Sequence, residues 1–173
     1  MKKTFILFSV IAVFTAFYAH SQSEFSDNTI HVGVIVTDLE ASIDFYTDVI
    51  GMENTGGFSV GAEFAKKSGL SNGVPFDVTV LRLEDSEDAT QWKLMSFDKK
   101  SQHPQQKFIQ DDIGMQYITI SVKELRPFVE RIKKHKVPFL GDTPVVLNEN
   151  NHFVFVQDPD GNFIELIGPM DAN

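Results

Sequence analysis

The sequence predicts an α+β fold of two βαβββ modules whose strands form one curved, barrel-like sheet of eight strands. Three observations carry this reading. Shifted by 86 residues without a gap, the chain matches itself: His31 falls on Tyr117, Val32, Val34 and Val36 fall on Ile118, Ile120 and Val122, and Leu39, Ile43 and Tyr46 fall on Leu125, Val129 and Ile132. In each copy an apolar period of two gives way to helical spacing, the mark of a strand leading into an amphipathic helix. Three further β-like runs then follow each helix.

Before the first module, Lys2 and Lys3 precede an apolar run over residues 4–19 and the small-residue pattern Ala19-His20-Ser21. This predicts a secretory signal peptide over residues 1–21, cut before Gln22, and an exported, periplasmic or secreted protein with no membrane attachment after cleavage. The alternative is an uncleaved anchor, against which stands a run of only 16 residues where a span needs about 20. A single domain is expected over 28–170, with a first module at 28–97, a linker at 98–112 and a second module at 113–170.

The first helix is expected to open on the capping box Thr37-x-x-Glu40 and to stop at Gly51. Strands are expected at Asn54–Val60, Pro75–Glu84 and Gln91–Phe97, with residues 61–73 inserted between the first two as a lid, a dimer contact or a long connection containing a short helix at Ala62–Lys67. Lys, Gln and Asp with Pro104 make 98–112 read as a surface linker. The second module repeats the pattern with strands at Pro138–Leu147, His152–Gln157 and Asn162–Gly168. Asp158-Pro159-Asp160-Gly161 supplies turn chemistry between the last two, Pro fixing φ and Gly tolerating a positive φ.

Lys+Arg number 15 against 24 Asp+Glu, a net charge of -9, so a polyanion is repelled and nucleic acid is not expected as a partner. The absence of cysteine removes disulfides, thiolate nucleophiles and cysteine zinc sites.

Strand phase sorts the remaining candidates. With Val32, Val34 and Val36 facing the helix, His31, Gly33 and Ile35 take the opposite, concave face. Tyr117, Thr119 and Ser121 do the same in the second module, and Phe163, Glu165 and Ile167 in the last strand. A four-residue hairpin turn would set Val154 opposite Glu165 and His152 opposite Ile167, bringing His152 onto the concave face. Trp92 alternates away from Lys93 and reads as core. His103 in the linker and His135 in the basic helix end Lys133-Lys134-His135-Lys136 read as solvated.

His31 opening a strand, Phe45-Tyr46 on the helix, Gly51-Met52 ending it and DPDGNFIEL at 158–166 together resemble the vicinal oxygen chelate superfamily. That superfamily includes glyoxalase I, extradiol dioxygenases, fosfomycin resistance proteins and bleomycin-sequestering proteins. The resemblance covers nearly all of 28–170 and implies a glyoxalase-like fold. It also implies four ligand positions for a divalent metal, which fall on His31, Lys93, Tyr117 and Glu165. Lys93 and Tyr117 depart from the superfamily's usual donors, and an ammonium has no lone pair to give, so no cofactor is expected.

The resemblance then implies two readings. In one, a non-metal proton-transfer enzyme of isomerase, epimerase or lyase type uses Glu165 as base, Lys93 and His31 to stabilise an enolate, and Tyr117 as donor. In the other, a binder holds a small-molecule ligand between aromatic side chains such as Phe58 and Phe163, with His31 and His152 in the polar ring. A metal-dependent lyase or dioxygenase using His31 and Glu165 with a replacement ligand such as His152 is the alternative. Glu165 and Lys93 are expected to pair. Whether the modules pair within one chain or between the two chains of a homodimer stays open.

Overall fold

The computed structural model describes residues 24–27, 29–97, 99–100 and 104–171. The signal-peptide expectation and His103 lie outside the described residues. In chain order the elements are β1 (Val32–Ile35), α1 (Leu39–Asp44), continuing as a π-helical turn (Phe45–Ile50), β2 (Glu53–Val60), α2 (Ala62–Ser68), β3 (Phe76–Arg82), β4 (Gln91–Met95), β5 (Tyr117–Ser121), α3 (Arg126–Lys134), β6 (Val145–Val146), β7 (His152–Gln157) and β8 (Phe163–Gly168). The two βαβββ modules are therefore present as predicted, their eight strands divided into two four-stranded sheets, ordered β1-β4-β3-β2 and β5-β8-β7-β6. In each the first strand runs parallel to the last, and the remaining pairs are antiparallel.

Local chemistry corrects two expectations. Helix α1 is capped by Asp38 and not by Thr37: the Asp38 carboxylate accepts the Ala41 N–H at 3.0 Å, the usual N-cap contact. The Thr47 hydroxyl donates to the Ile43 carbonyl at 2.9 Å, and this competition with the backbone ladder accompanies the change from α to π winding. Gly51 ends the segment at φ 89°, the left-handed position foreseen for it. Finally, the strand expected over Pro138–Leu147 shrinks to Val145–Val146, because Pro138 and Pro144 donate no N–H and Gly141 turns the chain at φ 60°.

One buried cluster takes side chains from the helix-facing sides of both sheets, including Val36, Leu81, Trp92, Leu94, Ile120, Val154, Val156, Ile164 and Leu166, together with Tyr46, Val49, Val129 and Ile132 from the helices. Polar contacts fix how the modules meet. Asp160 accepts the Thr37 N–H at the entry to α1, at 3.1 Å and 3.2 Å to its two oxygens. Arg131 of α3 donates from Nε to the Val49 carbonyl (2.9 Å) and from Nη2 to the Ile50 carbonyl (3.1 Å), with its guanidinium 4.4 Å from the Phe128 ring centre. These carbonyls end the π-helical turn, so a cation from the second module satisfies acceptors that the first leaves open. Partial burial holds the Arg131 guanidinium below its usual range. Arg131→Met is expected to lower stability by about 1–3 kcal/mol, read as the urea midpoint, since it strands two partly buried carbonyls.

Candidate functional site on the open faces of the two sheets

All four of the positions singled out in the sequence lie on the faces turned away from α1 and α3. His31 sits one residue before β1, and Lys93 lies opposite Gly33 and Val80, on the side of the sheet away from Trp92 and Leu94. Tyr117 lies opposite Phe163, and Glu165 lies opposite both Thr119 and Phe155. The structure thus brings the four together two by two, His31 with Lys93 on the first sheet and Tyr117 with Glu165 on the second. No strand pairing joins the sheets.

The expected Lys93–Glu165 pair is absent: no ion pair links them among the described residues, and the Glu165 Oε1 instead accepts the Thr119 hydroxyl at 3.1 Å. His152 is also corrected. The observed register sets it opposite Gly168 and sets Phe155 opposite Glu165, one residue from expectation. The cause is the turn. Asp158 and Asn162 close it (N–H to carbonyl, 2.9 Å) around Pro159, Asp160 and Gly161, which is one residue more than a four-residue turn. A slip of one exchanges the two faces of a strand, so His152 joins Val154 and Val156 on the helix side while Phe153 and Phe155 take the open side.

Those two phenylalanines are the main residues that the sequence does not reveal as part of the site. The rings of Phe153 and Phe155 lie 5.5 Å apart, and Phe155 stacks on Phe163 at 5.2 Å with 9° between planes. Phe163 itself is 1% exposed, so it backs the wall instead of presenting it. Phe58, on the edge strand β2 of the other sheet and opposite Val78, is 52% exposed and belongs to no such wall. The alternation Phe153-x-Phe155 is visible in the sequence, but its face depends on the turn length.

On the first sheet the insertion has a definite place. Ala65 of α2 is fully buried against Val60, Val78 and Val80, with Phe76 and Met95 beside them, so α2 covers one part of that open face and Val80 carries its apolar cover up to Lys93. His31 lies beyond this cover and is exposed; its Nδ1 accepts the Gln91 N–H at 3.1 Å.

This donor set does not fit a divalent metal at the four positions. Lys93 offers no lone pair, Nδ1 of His31 is already occupied, and Tyr117 and Glu165 belong to the other sheet. Among the described residues no group of three or more His, Asp or Glu could hold an ion. A cleft of about 530 Å³ lies elsewhere, where the modules meet, and is lined by Leu83, Glu84, Ser121, Lys123 and Phe128 among others.

The buried polar centre of the molecule is Asp158, 5% exposed. Its carboxylate accepts from the Tyr46 hydroxyl (2.8 Å), the Asn162 side-chain amide (2.8 Å), the Asn162 N–H (2.8 Å) and the Asp160 N–H (3.0 Å). Burial nevertheless outweighs these bonds and holds the carboxyl above its ordinary value. Burial and the facing Asp158 carboxylate push the Tyr46 phenol well above its own. These values belong to a structural joint and not to an open catalytic group.

Paired βαβββ modules, each with its first strand parallel to its last, define the fold class. The sequence profile of the Glyoxalase/Bleomycin resistance protein/Dioxygenase superfamily matches residues 29–166, and the chain belongs to that superfamily. No curated protein matches it. Among solved structures, a glyoxalase family protein from Bacillus cereus superimposes with a TM-score of 0.70 at 17% identity, covering 88% of this chain and 100% of that one. The trypanothione-dependent glyoxalase I of Leishmania major gives 0.53 at 24% identity, covering 83% and 87%. A glyoxalase I variant from Zea mays gives 0.59 at 20% identity over 83% of this chain, which spans 44% of the maize chain. At these identities the likeness is one of fold.

Proposed function

We propose that the chain is an exported small-molecule-binding member of the superfamily, whose ligand lies on the open face of the second sheet against Phe153 and Phe155 with its polar end at Glu165. The observation that carries this is the juxtaposition of Phe155 and Glu165 as a cross-strand pair, with Thr119 holding one carboxylate oxygen and leaving the other to a ligand. An aromatic wall beside a few placed polar groups is the ordinary composition of a small-molecule site. Export rests on the basic start and short apolar run of the N-terminal sequence, and intact mass after expression with the leader should place the new N-terminus at Gln22.

A second reading is favoured by Tyr117, which lies on the same face one residue pair from Glu165. In that reading Glu165 takes a proton from a carbon next to a carbonyl and Tyr117 donates to the carbonyl oxygen. The 2-phenylethylammonium ion, whose N–H groups can donate to Glu165, serves as the binding probe for the first reading, and phenylacetone serves for the second. Saturation-transfer NMR should show binding that Phe155→Ala weakens about tenfold, as expected for loss of an aromatic contact and its buried area. Exchange of the α-protons of phenylacetone in D2O tests the chemistry. If Glu165 is the base, Glu165→Gln should slow exchange at least about 100-fold with binding kept. Binding indifferent to Phe155→Ala would remove the second sheet as the site.

A further inference from the structure

Lys93 occupies an unusual position for a lysine. Strand β4 is interior to its sheet, with β1 on one side and β3 on the other, and the Lys93 side chain is half-buried between Gly33 and Val80. Val80 belongs to the apolar cluster that α2 covers, so one flank of the stem is dry. Partial withdrawal of an ammonium from water is costly unless an anion compensates. The chain holds 24 acidic side chains, yet among the described residues none pairs with Lys93.

His31 lies on the same face, beside Gln91 and two residues along from the Gly33–Lys93 pair. Because the Gln91 N–H points into Nδ1, that nitrogen cannot carry the ring proton. The neutral imidazole is therefore the Nε2–H tautomer, and it presents a donor to the open face. The nearby Asp27 carboxylate accepts the Thr29 N–H and hydroxyl, at 2.8 Å each, on its Oδ1 and makes no hydrogen bond to His31. Gly33 between them brings no side chain to the face. Two donors stand over a bare stretch of strand, and among the described residues neither the Lys93 ammonium nor the His31 Nε2–H is bonded to an acceptor.

We propose that this face of the first sheet is an oxyanion site, in which the Lys93 ammonium and the His31 Nε2–H bind a carboxylate or phosphate group of a small molecule. The site goes beyond the second-sheet reading and does not depend on it. Its oxygen ligand is the reverse of what a metal site would require, since both side chains here donate and neither offers a lone pair.

The test is an NMR titration of the 15N-labelled chain without residues 1–21, run separately with sodium pyruvate and with inorganic phosphate. At least one should give saturable shifts centred on Gln91 and Lys93, and which one does distinguishes a carboxylate from a phosphate ligand. Lys93→Met should weaken that binding at least about tenfold, whereas Lys93→Arg should retain most of it, as for a charge-assisted hydrogen bond. Long-range imidazole spectra should show His31 as the Nε2–H tautomer. If Lys93→Met disturbs the fold, His31→Ala at its exposed position replaces it and should weaken binding in the same direction. The proposal is overturned if neither anion saturates, if the folded variants bind as well as the parent, or if the His31 ring proton sits on Nδ1.

Discussion

Replacing Asp158 by Ala is expected to cost about 3–5 kcal/mol and to lower the melting temperature by roughly 10 °C, more than any substitution on the open sheet faces. The size follows from what is left behind. The Tyr46 hydroxyl is fully buried, and without Asp158 it loses its acceptor, as do the Asp160 and Asn162 N–H groups and the Asn162 amide. Tyr46→Phe, which removes only one of these bonds, should cost less, about 1–2 kcal/mol. Calorimetry of the three proteins checks the order, and a shift below about 3 °C for Asp158→Ala would show that the turn is not the joint it is taken to be.

The pH dependence of the same joint has an uncommon sign. Burial raises the Asp158 carboxyl above its value of 3.8 in the unfolded chain, so the folded protein holds that proton more tightly. The resulting contribution to stability is fully present below 3.8 and is lost as pH rises through the higher folded value. Stability of the parent relative to Asp158→Asn, which does not titrate there, should therefore decline as pH rises above about 3.8. Urea unfolding of both proteins at increasing pH reads the difference, and a relative stability that grows with pH would contradict the assignment.

Gly168→Ala is the second large effect. A Cβ built on Gly168 would stand 2.3 Å from the Val122 carbonyl oxygen and 2.8 Å from the Val122 Cγ2, distances that require the backbone to move. Val122 is tied there by its N–H bond to the Ile167 carbonyl at 2.8 Å, and β8 lies between β5 and β7, so neither side can yield cheaply. A loss of about 2–4 kcal/mol is expected. Gly57 offers a control, because its Cβ would approach the Val78 carbonyl oxygen even more closely, at 2.1 Å. However, β2 is an edge strand with a register shift between Asn54 and Gly57, and an edge can swing outward. Gly57→Ala should cost less than Gly168→Ala despite the shorter contact, and chemical denaturation of the pair decides it.

The contrast between what the sequence reveals and what it hides turns on a few residues. Strand β7 is legible from His152 to Gln157 because alternation fixes a strand whatever its partner does. The faces of that strand are not legible, since they depend on whether the Asp158–Asn162 turn holds two or three residues between its closing pair. That one residue decides that Phe155, and not Val154, stands beside Glu165. Lys93, Tyr117 and Glu165, and His31 one residue before β1, could be assigned to open faces because the apolar alternation of their own segments sets the phase without reference to that turn. The Asp38 cap escapes a reading that favours Thr37 because both residues suit the position, and only backbone direction separates them. The fate of Pro138–Leu147 is likewise a competition, in which apolar content argues for a strand and the missing N–H groups argue against it.

The bond between Tyr46 and Asp158 also sets a clock for biosynthesis. Its partners are 112 residues apart in the chain, so at about 5–20 residues per second the ribosome delivers the second roughly 6–22 s after the first. For that interval the Tyr46 hydroxyl has been made but its acceptor has not. The joint between the modules is thus closed only after nearly the whole chain has been synthesised, and Tyr46 waits seconds for its native acceptor.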